Sequence, residues 1–134
     1  MPRSNRFTFP KSERLKRKKI IAALFQDGFR LRQNNFSLIC YEHQFSEVPA
    51  LQVLFALHHK HFRMATTRNK IKRRMREAWR LNKHVLNEKI AGSSSKWAVG
   101  FIYHGKQVPT FLAVQTALKD LLNQFQKMLT EKSA

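Results

Sequence analysis

Apolar residues at Leu15, Ile20, Ile21, Leu24 and Phe25 lie on one helical stripe, which Ser12 opens as a possible cap and Gly28 closes. The pattern then changes to that of strands over residues 31–41 and 51–58. In the second of these, Leu51, Val53, Phe55 and Leu57 alternate with Gln52 and His58, as a half-buried strand does. The intervening HQFSEVP reads as a loop. A second helical pattern, capped by Thr66 or Thr67, runs to about Ile90 and ends at the small-residue linker Gly92-Ser93-Ser94-Ser95. Residues 97–103 form a strand with Trp97, Val99, Phe101 and Tyr103 on one face. After Pro109, the residues Phe111, Leu112, Val114, Leu118, Leu121, Leu122, Phe125, Met128 and Leu129 give a final helix its apolar face. The opening MPRSNRFTFP lacks helical spacing, and Pro10 biases Phe9 toward extended backbone, so residues 1–10 are expected to be an extended basic arm. A single domain over 11–130 and a short tail over 131–134 complete the expected organisation, and 134 residues suffice for one real core.

Charge changes the picture. Lys and Arg total 26 against 8 Asp and Glu, a net charge of +18 with His neutral. Self-repulsion of that size is kept when a polyanion is the partner, which points to nucleic acid, with an anionic membrane surface as the competitor. The longest apolar run, 20–25, is too short to cross a bilayer and no secretory signal pattern appears, so a cytoplasmic protein is expected. Cys40 is the only cysteine, which excludes an internal disulfide and reads as a buried strand thiol.

The charge is concentrated in the second helix, where TTRNKIKRRMREAWR carries seven Lys or Arg and one Glu in fifteen residues. At 100° per residue, Arg68, Asn69, Lys72, Arg73, Arg76, Arg80 and Lys83 fall within an arc of about 140°. Ile71, Met75, Ala78, Trp79, Asn82, Val85 and Leu86 occupy the adjacent arc of about 120°. A solvated helix would mix signs along its face, and cations near its start oppose the dipole. A phosphate bound near this helix start reverses the penalty, which favours contact with nucleic acid.

The spacing Arg68-Asn69-x-x-Lys72-Arg73-x-x-Arg76-Glu77 resembles the signature helix of the bacterial ribonuclease P protein subunit, and PKSERLKRKKIIAALFQDG resembles the first helix of that family. The resemblance covers about residues 9–129. It implies an α+β fold, a single-domain α-β-β-β-α-β-α sandwich like domain 2 of ribosomal protein S5, with a left-handed β-α-β crossover against the usual rule. It also implies a protein that is monomeric within a complex of one protein and one RNA. There the ribonuclease P RNA subunit, holding most of the Mg2+, removes the 5′ leader of precursor tRNA. On this resemblance Arg68, Asn69, Lys72, Arg73 and Arg76 contact the RNA subunit, and Arg80 shares their arc. Phe25 and Lys60 match positions of a leader-binding cleft between the first helix and the sheet. Tyr41 faces the same side as Ile39, a cleft position where many members carry an aromatic, and Phe9 of the arm completes the set. Ile21 likewise replaces a common aromatic, and HKHFRMA lacks the family's usual glycine and is one residue longer.

Other groups carry less. Phe7 and Phe9 alternate with basic residues and are read either as base-stacking aromatics or as packing over the sheet edge, the latter preferred for Phe7. His58, His59 and His61 lack the four ligands of a structural zinc site and read as surface or RNA-adjacent residues. No nucleophile motif, phosphate loop or carboxylate pair with a His partner marks a protein active site, so no catalytic residue and no organic cofactor is expected. The alternatives are a non-enzymic RNA-binding protein such as a ribosome-associated factor, and a membrane-surface protein carrying a basic amphipathic helix.

Overall fold

The computed structural model describes residues 9–44, 48–90 and 95–133. Its strands are β1 (Phe29–Gln33), β2 (Phe36–His43), β3 (Leu51–Leu57) and β4 (Lys96–Tyr103). Its helices are α1 (Lys18–Asp27), α2 (Ala65–Asn82), α3 (His84–Ile90) and α4 (Phe111–Ser133). The expected α-β-β-β-α-β-α order is present, with α3 as an additional short helix. The strands form one sheet in the order β1-β2-β4-β3. The pairs β1/β2 and β2/β4 are antiparallel; β3 and β4 are parallel and are joined through α2 and α3.

Strand alternation sends side chains to two different cores. Phe36, Leu38, Leu51, Val53, Trp97, Val99, Phe101 and Tyr103 enter the larger one, with Ile71, Met75 and Trp79 of α2 and Leu118, Leu121 and Phe125 of α4. The opposite face meets α1, where Ile20 and Leu24 pack with Leu15, Ile39, Ala98 and Ile102. A sheet buried on both sides favours the long apolar strand β4, whose residues from Trp97 onward are all buried.

Local chemistry moves several boundaries. The span 31–41, read as one strand, is a hairpin: Asn34-Asn35 makes a two-residue turn, and Asn34 adopts φ 54°, which asparagine tolerates better than most residues. Ser12 does not cap α1. Residues Lys11–Glu13 form a 3-10 turn, Arg14 bridges to Val53, and the Leu15 N–H donates to the Val53 carbonyl at 2.9 Å. Backbone engaged at the β3 edge cannot also be helical, so α1 starts at Lys18 with Arg17 as N-cap. Gly28 does close α1, since a Cβ there would lie 2.5 Å from the Leu24 carbonyl and 2.8 Å from Ile39.

The second helix starts at Ala65 with Met64 as N-cap and no side-chain cap, so neither Thr66 nor Thr67 has the expected role. It also ends earlier than its apolar pattern. Lys83 is the C-cap, and α3 begins at His84. The final helix reaches Ser133 and so takes in most of the expected tail. Phe7 and the linker glycine lie outside the described residues. Cys40 is a buried thiol in β2, and burial pushes its pKa far above the ordinary thiol range. No described helix is long and apolar enough to cross a membrane.

Candidate nucleic-acid interface

The amphipathic division of α2 is realised. Ile71, Met75, Ala78 and Trp79 are buried, while Asn69, Lys70 and Arg73 are exposed and Arg68, Lys72 and Arg76 are half-buried. These side chains come from one helix because its apolar arc is seated against β3 and α4, which fixes the rotation of the cationic arc toward solvent.

The cations of this helix are not equivalent. Arg68 donates from one guanidinium nitrogen to the carbonyls of Phe62 (2.9 Å) and Arg63 (2.8 Å), tying the loop before the helix to its first turn. Arg74 donates to the Pro109 carbonyl at 2.7 Å and braces the approach to α4. Arg80 pairs with Glu77 at 2.6 Å, which holds that carboxyl below its ordinary range. Lys83, placed by the helical wheel among the outward cations, is instead buried and paired with Glu13. Lys72, Arg73 and Arg76 form no ion pair among the described residues. The arc therefore offers three cations, Lys72, Arg73 and Arg76, without a carboxylate partner among the described residues, together with Arg68, whose guanidinium is bonded only to neutral carbonyls.

The N-terminal segment widens this surface. Arg14 and Lys16 join Lys72 and Arg76 around a notch of about 220 Å³ at the β3 edge, with Phe9 and Phe55 as its aromatic lining. The segment is held by Glu13 on Lys83, by Gln52 donating to the Ser12 carbonyl at 2.8 Å, and by Phe9 edge-on to Phe55 at 5.9 Å. The Phe9 ring also lies near two cations, Arg14 at 5.3 Å and Lys83 at 5.6 Å. Phe9 thus folds over the sheet edge on the α2 side.

The residues assigned to a cleft are only partly brought together. Phe25 on α1 is 45% exposed, and Tyr41 packs against the α1 core, so the two share the α1 face of the sheet. Phe9 lies on the other side. Lys60, exposed in a 3-10 turn after β3, stands at the opposite end of the sheet from Tyr41. Tyr41 pairs with Ala98 and Leu57 with Tyr103, which separates the two ends by about 17 Å at ~3.3 Å per residue.

A second basic group on the α1 face escaped the sequence reading. Arg30 and Arg32 of β1 face outward opposite Ile39 and Ser37, and Ser37 leads across to His104 and His58. The signal was available: FRLRQ alternates, so its two arginines share one side. His58 and His104, by contrast, reach Ser37 from parts of the chain distant in sequence.

A sequence model of the ribonuclease P family matches residues 9–126. The chain is 33% identical over 124 residues to the ribonuclease P protein component of Chlorobium phaeobacteroides, covering 84% of each chain. It is 30% identical over 116 residues to that of Porphyromonas gingivalis, covering 87% of this chain and 85% of the relative. The fold is similar to that of the Staphylococcus aureus RNase P protein, with a TM-score of 0.63 at 20% identity over 84% of this chain and 94% of the other. The Thermotoga maritima RNase P protein gives the same TM-score at 23% identity, over 84% and 96%.

Proposed function

Because the chain belongs to the ribonuclease P protein family, we propose that it is the protein subunit that binds the catalytic RNA and the 5′ leader of precursor tRNA, assisting removal of that leader. The observation that carries this reading is the α2 face: Lys72, Arg73 and Arg76 present charge without a carboxylate partner among the described residues, beside a buried apolar arc that fixes their direction. Neutralising phosphates there releases condensed counterions, which favours assembly most at low salt. Arg68 and Asn69 extend the same contact, and Arg80 joins it when Glu77 yields. On the opposite side of the sheet, Phe25 and Tyr41 offer aromatic surface to unpaired bases, with Lys60 further along as a phosphate contact.

The chemical step belongs, in this proposal, to the RNA and its Mg2+. The described residues contain no group of three or more His, Cys, Asp or Glu able to hold a metal ion, and Glu13 and Glu77 are already engaged by Lys83 and Arg80. No Mg2+ step is placed on the protein in this reading. The protein's part is to lower phosphate repulsion and align the leader, one protein acting with one RNA in the cytoplasm. Reconstitution tests this: with a cognate ribonuclease P RNA at low magnesium, the protein restores 5′ cleavage of precursor tRNA. Absence of any stimulation, with both components folded, would contradict the proposal and favour a ribosome-associated RNA-binding role.

A further inference from the structure

The outer edge of β3 is only partly covered. On its inner side the strand pairs with β4 from Leu51 to Leu57. On its outer side the N-terminal segment makes a single bridge, Arg14 to Val53, closed by the Leu15 N–H on the Val53 carbonyl at 2.9 Å. The chain then turns away into α1, and the pairing stops. In a strand paired in parallel, the N–H and C=O of one residue point the same way and alternate residues share a side. Phe55 therefore turns its main-chain N–H and C=O to the same outer edge as Val53, and no backbone group among the described residues bonds them there.

That open stretch lies in the notch of about 220 Å³. Phe9 and Leu15 wall the notch on the N-terminal side, and four cations, Arg14, Lys16, Lys72 and Arg76, stand around it. No Asp or Glu lines it, since Glu13 is turned away to Lys83. The contacts of Glu13 with Lys83, Gln52 with Ser12 and Phe9 with Phe55 are made within the chain, so the notch is formed before any ligand arrives. A phosphate alone suits the rim and not the floor, where the Phe55 carbonyl repels an oxyanion and the walls are apolar. A nucleobase suits both. Its Watson–Crick edge sets an adjacent donor and acceptor against the acceptor and donor of Phe55, its ring lies against the apolar walls, and the phosphates on either side reach the cations. Only an unpaired base has that edge free. The volume is below the roughly 300 Å³ at which pockets for larger organic ligands begin, so the notch takes one base.

We propose that the notch between the N-terminal segment and α2 receives one extruded base of the folded RNA subunit, bonded by the Phe55 main chain, while Arg14, Lys16, Lys72 and Arg76 hold its flanking phosphates. This inference rests on reading the chain as an RNA-binding subunit, and it places Phe9 with that RNA rather than with the leader. The leader surface at Phe25 and Tyr41 is on the α1 side of the sheet, whereas the notch lies at the β3 edge beside α2. One main-chain donor and one acceptor can meet the edge of any of the bases, so the site selects an unpaired nucleotide and not a sequence.

The test assembles the full-length chain with a cognate ribonuclease P RNA. Phe9→p-benzoylphenylalanine, photoactivated in the complex, cross-links to one nucleotide of that RNA without a Watson–Crick partner, whether or not precursor tRNA is present. Chemical footprinting by the wild-type chain locates the same base independently of that variant. Making the nucleotide abasic weakens binding of the wild-type protein roughly tenfold, the scale of one stacked base, and leaves the log–log salt slope unchanged because no phosphate is lost. The same abasic change costs Phe9→Ala less than about threefold, a coupling that a purely structural role for Phe9 does not produce. Cross-links and footprints confined to paired nucleotides or to the leader, or equal wild-type affinity for abasic and intact RNA, overturn the base site and leave the RNA-binding reading standing. Failure of the wild type to bind the RNA overturns both.

Discussion

Lys83 and Glu13 form an ion pair with a buried ammonium and a partly exposed carboxylate: Lys83 is 1% exposed, although its place on the helical wheel is among the solvent-facing cations of α2. The pair joins the N-terminal segment to the junction of α2 and α3, with the Phe9 ring above it. Removing the carboxylate strands a buried ammonium, whereas replacing the ammonium by an apolar chain of similar length does not. Glu13→Gln is expected to destabilise the domain by about 2 kcal/mol, and Lys83→Met by less than about 1 kcal/mol. Urea denaturation measures both, and Lys83→Met should leave the salt dependence of RNA binding unchanged.

The close approach of α1 to the sheet at Gly28 predicts a different cost. A methyl group there meets two carbonyl oxygens, of Leu24 and Cys40, neither of which moves without shifting backbone. Gly28→Ala should destabilise by about 2 kcal/mol through overpacking, measured as a lowered denaturation midpoint with an unchanged denaturant slope.

Cys40 reports on opening of the domain. Its thiol is buried and its pKa raised, so the reactive thiolate is scarce in the folded state throughout the neutral and mildly alkaline range. Labelling by a thiol reagent at mildly alkaline pH should be slow in native buffer and should accelerate in step with unfolding. Rapid labelling of the native protein would contradict the two-sided burial of β2.

Glu77 moderates the cationic face. Hydrogen bonding to Arg80 depresses its pKa, so the pair is intact above the ordinary carboxylate range and is lost only as pH falls through the depressed value. At neutral pH Glu77→Gln removes the anion that pairs with Arg80 from the phosphate-facing surface. RNA affinity should rise a few-fold, and Arg80→Ala should weaken binding less than Arg73→Ala does.

Much of this architecture was legible in the chain because periodicity reports burial directly. The alternation of Trp97, Val99, Phe101 and Tyr103 and the stripe from Phe111 to Leu129 both correspond to elements at nearly the expected bounds. The departures have local causes that periodicity does not carry. The Asn34-Asn35 turn interrupts no hydrophobic pattern, and the delayed start of α1 depends on a backbone contact with Val53, distant in sequence. For the candidate site, helical geometry placed Arg73 and Arg76 on an outward face, yet it could not distinguish Lys72 from Lys83, because the partner of Lys83 arrives from residue 13. The side of the sheet taken by Phe9, and the meeting of Ser37, His58 and His104, are likewise products of tertiary pairing.

The central claim, that the outward arc of α2 binds RNA phosphates, is tested most directly by the salt dependence of affinity for the cognate ribonuclease P RNA. Arg73→Ala and Arg76→Ala should each reduce the log–log slope by about 0.7 to 0.9 while leaving folding unaffected. Slopes equal to that of the wild type in both variants would contradict the claim.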